Sequence, residues 1–180
     1  DTLTSTPDPV DGKTTLHTFS PASAYANEVA GIEGVASKYL DLHAFRGPRG
    51  VRQAILFDVD DTTLNTYDYE IYSNFVYNPT TNGQFVTAEA FPAVPGMPSV
   101  AANAAAHGYA VFFLTGRPEA QRAVTADNLA KVGYARPDNA HLYLKDLTKP
   151  WLASCAPSCT TTQYKSLTRQ HIESLGYNIV

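Results

Sequence analysis

Asp58, Asp60 and Asp61 fall within four consecutive positions of the run Phe57-Asp58-Val59-Asp60-Asp61-Thr62-Thr63-Leu64. Three carboxylates this close repel one another strongly wherever the dielectric is low. A fold tolerates them if a cation sits among them or if one stays protonated. An all-oxygen ligand set favours a hard ion such as magnesium. If Asp58 keeps strand geometry, Asp58 and Asp60 project to the same side, so one carboxylate can act as nucleophile while its neighbour handles protons. An isolated Asp-X-Asp is more often an acidic turn closing a strand, and that reading stays open on these residues alone.

Two further groups suit the same chemistry. Leu114-Thr115-Gly116-Arg117 offers a hydroxyl and a main-chain N–H at a glycine that permits close approach. As a strand-to-helix turn, it would suit phosphate oxygens. Lys165 lies in the first turn of a helix opened by Thr160-Thr161-Thr162. A solvated surface lysine is the ordinary reading; the alternative is a charge that neutralises a phosphate and its attacking carboxylate.

The elements that would carry these residues follow from periodicity. Ala54-Ile55-Leu56-Phe57 and Ala110-Val111-Phe112-Phe113-Leu114 are continuous apolar runs of the kind found in parallel strands covered on both faces. Each ends abruptly in polar, reactive residues. Ser20-Pro21 predicts a helix start, and Tyr25, Val29, Ile32, Ala36 and Tyr39 recur at helical spacing beyond it, although Gly31 and Gly34 weaken the middle. A helix is predicted from Pro98 to His107, and another is opened by Pro118, with Ala123, Ala126 and Leu129 inward and Gly133 at its end. His141 to Leu144 reads as a third strand, Thr162 to Leu175 as a helix, and Tyr177 to Val180 as a fourth strand. This alternation predicts an α/β, doubly wound, mostly parallel sheet. In such sheets ligands bind beyond the carboxyl ends of the strands, which selects 58–62 and 115–117.

Composition narrows the function classes. The 180 residues hold 17 Asp plus Glu against 13 Lys plus Arg, a net charge of −4, whereas nucleic-acid binders and binders of anionic membranes usually present a basic face. No apolar run approaches the roughly 20 residues of a spanning helix. Two cysteines are too few for a disulfide framework or a four-thiolate zinc site. Residues 1–19 are expected to form an extended arm ahead of a core over 20–180. The start at Asp1, with no Met and no basic-then-apolar leader, suits a processed product or a trimmed chain.

Three segments, ILFDVDDTTLN at 55–65, FFLTGRPEAQRAVTADNLAKVGY at 112–134 and QYKSLTRQHIESLGYNIV at 163–180, resemble in order the signatures of the haloacid dehalogenase-like (HAD) superfamily. They look most like its acid phosphatase branch, which includes plant vegetative storage proteins. The resemblance implies a Rossmann-like three-layer sandwich with a small cap inserted at about 65–95. It implies a magnesium-dependent phosphomonoester hydrolase acting on small substrates, in which Asp58 attacks phosphorus to give an aspartyl phosphate. Asp60 would protonate the leaving alcohol and later activate water. Thr115 and the Gly116 N–H would hold phosphoryl oxygens beside Lys165. Magnesium would be held by Asp58 and by the main-chain carbonyl of Asp60, with Asp61 either supporting the site from behind or capping the loop. Relatives that are dehalogenases lack an acid at the position of Asp60, and cation pumps carry Thr there, so Asp60 implies a phosphatase or phosphotransferase. A non-catalytic storage or binding protein of the same fold is the competing expectation.

One departure bears on competence. Members of this family place another acidic pair after the fourth strand, and this chain stops at Asn178-Ile179-Val180, inside that strand. The expectation is a fragment of a competent parent that lacks a metal-ligating acid and a fifth strand, with weak metal binding and poor turnover if the 180 residues are the whole molecule. Between the first two motifs lie Tyr67, Tyr69, Tyr72, Phe75, Tyr77, Phe85 and Phe91, which either wall the pocket for an apolar substrate end or pack the cap itself. Cys155 and Cys159 flank Pro157, which blocks a regular helix. The two thiols either close a small ring, as suits the exported protein that the resemblance favours, or stay reduced. His171 falls in the apolar stripe of its helix and is expected to be packed; His17, His43, His107 and His141 lie on the arm, at helix ends or near a strand edge.

Overall fold

A computed structural model of the chain describes residues 2–7, 10, 15–18, 20, 22–44 and 50–180. Within the stretch expected to be an extended arm, β1 (Thr2–Pro7) and β2 (Thr15–Thr18) pair antiparallel. The main sheet comprises β3 (Arg52–Asp58), β4 (Ala110–Pro118), β5 (Leu142–Lys145) and β6 (Tyr177–Ile179), in the spatial order β5-β4-β3-β6 with every pairing parallel. Parallel neighbours require crossovers, and α4 (Met97–Ala106), α5 (Arg122–Lys131) and α6 (Thr161–Ser174) supply them. α1 (Ala24–His43) precedes the sheet, and α2 (Tyr67–Tyr72) and α3 (Pro79–Thr87) fill the segment between β3 and α4.

Strand alternation sorts the apolar side chains into two cores. On one face Phe57 and Phe113 pack with Leu40 of α1, Val100 and Ala104 of α4, and Ala126 and Leu129 of α5. On the other, Ala54 and Phe112 meet Ile172, while Leu114 meets Tyr164 and Leu152. Helices therefore cover both faces, which makes the three-layer α/β arrangement. Gly176, at φ +90°, turns the chain from the end of α6 into β6.

Three local expectations are corrected. The helix cap is Ser23, whose side chain accepts from the Ala26 N–H, and not Ser20. Ile32 and Tyr39 point outward, and the face of α1 that packs inward carries Ala26, Ala36 and Leu40. Apolar residues occur on two faces of this helix, so spacing alone does not choose between them. Pro118 does not open a helix but ends β4, opposite Lys145, with ψ 149°. Its fixed φ fits an extended residue as well as a first helical one. The register shifts between Leu114 and Pro118, so Thr115, Gly116 and Arg117 lie in a strand extension rather than at a helix N-terminus.

Candidate active site

Asp58 is the last residue of β3, directly opposite Leu114 of β4. Its position follows from alternation: it shares a face with Ala54 and Leu56, the face covered by α6. There its Oδ2 accepts from Lys165 Nζ at 2.6 Å, and its Oδ1 accepts from the Val59 N–H at 2.8 Å. Lys165 is set by the start of α6, where Thr160 and Gln163 form a reciprocal capping box. Asp58 and Lys165 line a cavity of about 250 Å³ with Leu56, Leu114, Ser166 and Arg169.

Beyond Asp58 the chain folds into a tight loop. Thr63 and Leu64 both donate their N–H groups to the Val59 carbonyl, the Asp61 N–H donates to Leu64 at 2.7 Å, and the Thr63 hydroxyl donates to the carbonyls of Asp58 and Val59. Asp61, at φ 58°, turns its carboxylate to the start of α2, accepting from the Thr66 N–H at 2.9 Å and the Thr66 hydroxyl at 2.7 Å. It therefore caps the loop. The Asp60 carbonyl receives no hydrogen bond from the described residues.

Asp60 is brought to β4 by its side chain. Oδ2 accepts from the Thr115 hydroxyl at 3.1 Å, and Oδ1 accepts from Arg117 Nη2 at 2.7 Å. Thr115 is fully buried, and its hydroxyl also accepts from the Arg117 N–H. Asp60, Asp61, Gly116 and Arg117 line a second cavity, of about 260 Å³, with Tyr69, Glu70, Tyr77, Asn82 and Gln121. Glu70 titrates above the usual carboxylate range because burial, and then the Asp61 charge, disfavour its ionised form.

The expected residues lie at the carboxyl end of β3 and β4 in two groups: Asp58 and Lys165 line the first cavity, whereas Asp60, bonded to Thr115, lines the second with Gly116. Sequence reasoning gave no role to Arg117, which is 5% exposed and bonded to Asp60; its place in the TGR run was the available signal. The aromatic cluster divides. Tyr69, Phe85 and Phe91 are buried and pack on one another, whereas Phe75 and Tyr77 are 68% and 69% exposed, and Tyr77 borders the cavity with the ring of Tyr69. Cys155 and Cys159 are joined in a disulfide. His171 stacks on Trp151 with ring centres 3.7 Å apart, and burial lowers its pKa. No cluster of three or more His, Cys, Asp or Glu side chains suited to a metal occurs among the described residues, and none of the described helices is long and apolar enough to cross a membrane.

Residues 13–180 match the family profile of the HAD superfamily, subfamily IIIB (acid phosphatase). The stem 28 kDa glycoprotein of Glycine max is 30% identical over 132 residues, covering 72% of this chain and 49% of its own. Acid phosphatase 1 of Solanum lycopersicum is 30% identical over 132 residues, again covering 72% of this chain and 48% of its own. The chain therefore spans about half the length of the curated relatives it matches. The class C acid phosphatase from Bacillus anthracis superposes with a TM-score of 0.71 at 19% identity, over 88% of this chain and 61% of that one. Its tungstate-bound form gives 0.68 at 19% identity, over 89% and 63%.

Proposed function

Because the chain belongs to the HAD superfamily, subfamily IIIB (acid phosphatases), we propose that it hydrolyses small phosphomonoesters through an aspartyl phosphate on Asp58. The observation that carries this reading is the Asp58–Lys165 pair at a strand tip, beside a second carboxylate held by Thr115 and Arg117. A carboxylate oxygen of Asp58 forms a bond to phosphorus as the bond from phosphorus to the ester oxygen breaks, and Asp60 gives its proton to that departing oxygen. Asp60, now ionised, takes a proton from water. The resulting hydroxide displaces the Asp58 oxygen from phosphorus, releasing inorganic phosphate and restoring both aspartates. Splitting one displacement into two lowers each barrier. Lys165 offsets charge on the nucleophile and the phosphoryl oxygens, and the Gly116 N–H donates to one of those oxygens.

The family implies a divalent cation, and magnesium is our assignment. The residues fit it: the Asp58 carboxylate and the Asp60 carbonyl, which no described group occupies, are hard oxygen donors. One carboxylate together with substrate phosphate and water is a common magnesium set. These two groups would hold the ion, which when bound neutralises charge between the nucleophile and the phosphoryl group. The segment 65–95 acts as the cap of this site, with Tyr77 at the edge of the cavity. Its glycoprotein and phosphatase relatives favour an exported protein.

A non-catalytic storage role is the second reading, favoured by relatives named only as stem glycoproteins. A phosphotransferase, in which an alcohol replaces water in the second step, is a close variant of the first. Initial rates on para-nitrophenyl phosphate, with magnesium and after chelation, separate the two classes in the full-length protein. The enzyme reading requires ion-dependent turnover that Asp58→Asn abolishes while the circular dichroism spectrum stays unchanged. No turnover under either condition supports the storage reading.

A further inference from the structure

Arg117 is anchored far more heavily than a surface arginine. Nη2 donates to Asp60 Oδ1 at 2.7 Å, and Nε donates to Oδ1 at 3.1 Å and Oδ2 at 3.3 Å. On its other side Nη1 donates to the hydroxyl of Thr125, a fully buried residue of α5, at 3.1 Å. The Phe91 ring centre lies 5.4 Å from Cζ. The main-chain N–H of Arg117 donates to the Thr115 hydroxyl, which itself donates to Asp60 Oδ2 at 3.1 Å. The Asp60 carboxylate is thereby tied to β4 through both oxygens and to α5 through the guanidinium. Burying a guanidinium is costly unless its charge and donors are used. Here the charge, Nε and Nη2 are spent on Asp60, which lies beyond the end of β3, and Nη1 is spent on Thr125 of α5.

We propose that Arg117 is a positioning residue for proton transfer by Asp60. It clamps Oδ1, leaving Oδ2, which is bonded to the Thr115 hydroxyl and only at 3.3 Å to Nε, as the oxygen that exchanges a proton with the departing ester oxygen. This inference rests on the assignment of Asp60 made above. It differs from a phosphate-binding role, in which the guanidinium would touch the phosphoryl oxygens themselves. It differs also from a purely structural role, which would affect every substrate alike.

Leaving-group dependence tells these apart. An aryl phosphate expels a stable phenolate that needs little protonation, whereas an alkyl phosphate expels an alkoxide that needs a proton. kcat/KM covers the steps through the first cleavage, so it registers this difference. The experiment measures kcat/KM for para-nitrophenyl phosphate and glycerol phosphate, and the inhibition constant of inorganic phosphate, in the full-length magnesium-loaded protein and its Asp60→Asn, Arg117→Met, Arg117→Lys and Thr125→Val variants. General acid catalysis contributes about 10²–10⁴, so Asp60→Asn should lower the alkyl-to-aryl ratio by about 100-fold or more. A loosely held acid should forfeit part of that, so Arg117→Met should lower the ratio by about 10-fold or more. Arg117→Lys and Thr125→Val should act in the same direction more weakly. Phosphate inhibition should stay within about two-fold, because the guanidinium does not touch phosphate.

Equal losses on both substrates in Arg117→Met overturn the proposal in favour of a structural role. Phosphate inhibition weakened by about 10-fold or more overturns it in favour of direct phosphate binding. Should Arg117→Met not fold, Thr125→Val decides: a lowered ratio supports the proposal and an unchanged one overturns it. If Asp60→Asn itself leaves the ratio unchanged while turnover persists, the acid assignment falls, and this inference falls with it.

Discussion

Replacing Lys165 by Met separates what the site does for catalysis from what it does for stability. Nζ lies 2.6 Å from Asp58 Oδ2, and the side chains of Lys165 and Asp58 are 33% and 37% exposed. At that distance Coulomb's law gives about 1.6 kcal/mol in bulk water and about 6 kcal/mol at an effective dielectric of about 20. Most of this attraction is offset in the folded protein by desolvation and side-chain ordering, and exposed pairs contribute about 0–1 kcal/mol. Lys165→Met should therefore lower unfolding free energy by no more than about 1 kcal/mol. The transition state has no such offset, because the ammonium is already in place when charge develops on the phosphoryl oxygens. Loss of one such pre-set group should lower kcat by about 10²–10³. Guanidinium chloride titration and initial rates, taken on the same preparation, check both numbers. A fall in kcat of less than about 10-fold, or a stability loss above about 3 kcal/mol, would show that Lys165 is a structural partner of Asp58 rather than a charge used in turnover.

Three further outcomes are expected. A Cβ at Gly96, whose φ is +81° at the start of α4, would fall on the Glu33 carboxylate. Gly96→Ala should destabilise by about 1–2 kcal/mol from backbone strain, with an added clash that Glu33→Ala relieves in a double-mutant denaturation cycle. Burial raises the Glu33 pKa, and Oε1 has no hydrogen-bond partner among the described residues. A carboxyl whose folded pKa is raised favours folding while protonated, and that contribution is lost as pH rises through the folded value. Glu33→Gln should accordingly raise Tm at pH 7–8 and leave it unchanged at pH values below the ordinary glutamate pKa of about 4.3; thermal melts across this range check the sign. Reducing the Cys155–Cys159 disulfide, which closes a short loop, should lower stability by about 2 kcal/mol on the chain-entropy account, measured by denaturation with and without reductant.

Much of the sheet was legible because apolar runs broken by polar residues mark buried parallel strands without reference to anything distant. Asp58 could be placed at a strand tip on that ground alone. The pairing of Asp58 with Lys165, 107 positions away, was not derivable from spacing and came from the resemblance. Arg117 escaped because a sequence does not distinguish a buried guanidinium from a solvated one: its environment is made by Asp60 after β3, Phe91 between α3 and α4, and Thr125 of α5, which meet only in the folded chain. Pro118 misled because its ring sets φ but not ψ, so it suits the end of β4 as well as a first helical turn. The aromatic residues 67–91 contain no period that separates core from rim; Phe85 is fully buried and Phe75 largely exposed, although both are phenylalanines in the same insertion.

The central claim is that the Asp58 carboxylate bonds to phosphorus. Acid quench during turnover of a phosphomonoester by the full-length protein, followed by peptic digestion and mass spectrometry, tests it directly. A phosphoryl group on the peptide that contains Asp58, absent from Asp58→Asn, is the predicted result. Undiminished turnover in Asp58→Asn, or a phosphoryl group found on another residue, would contradict it.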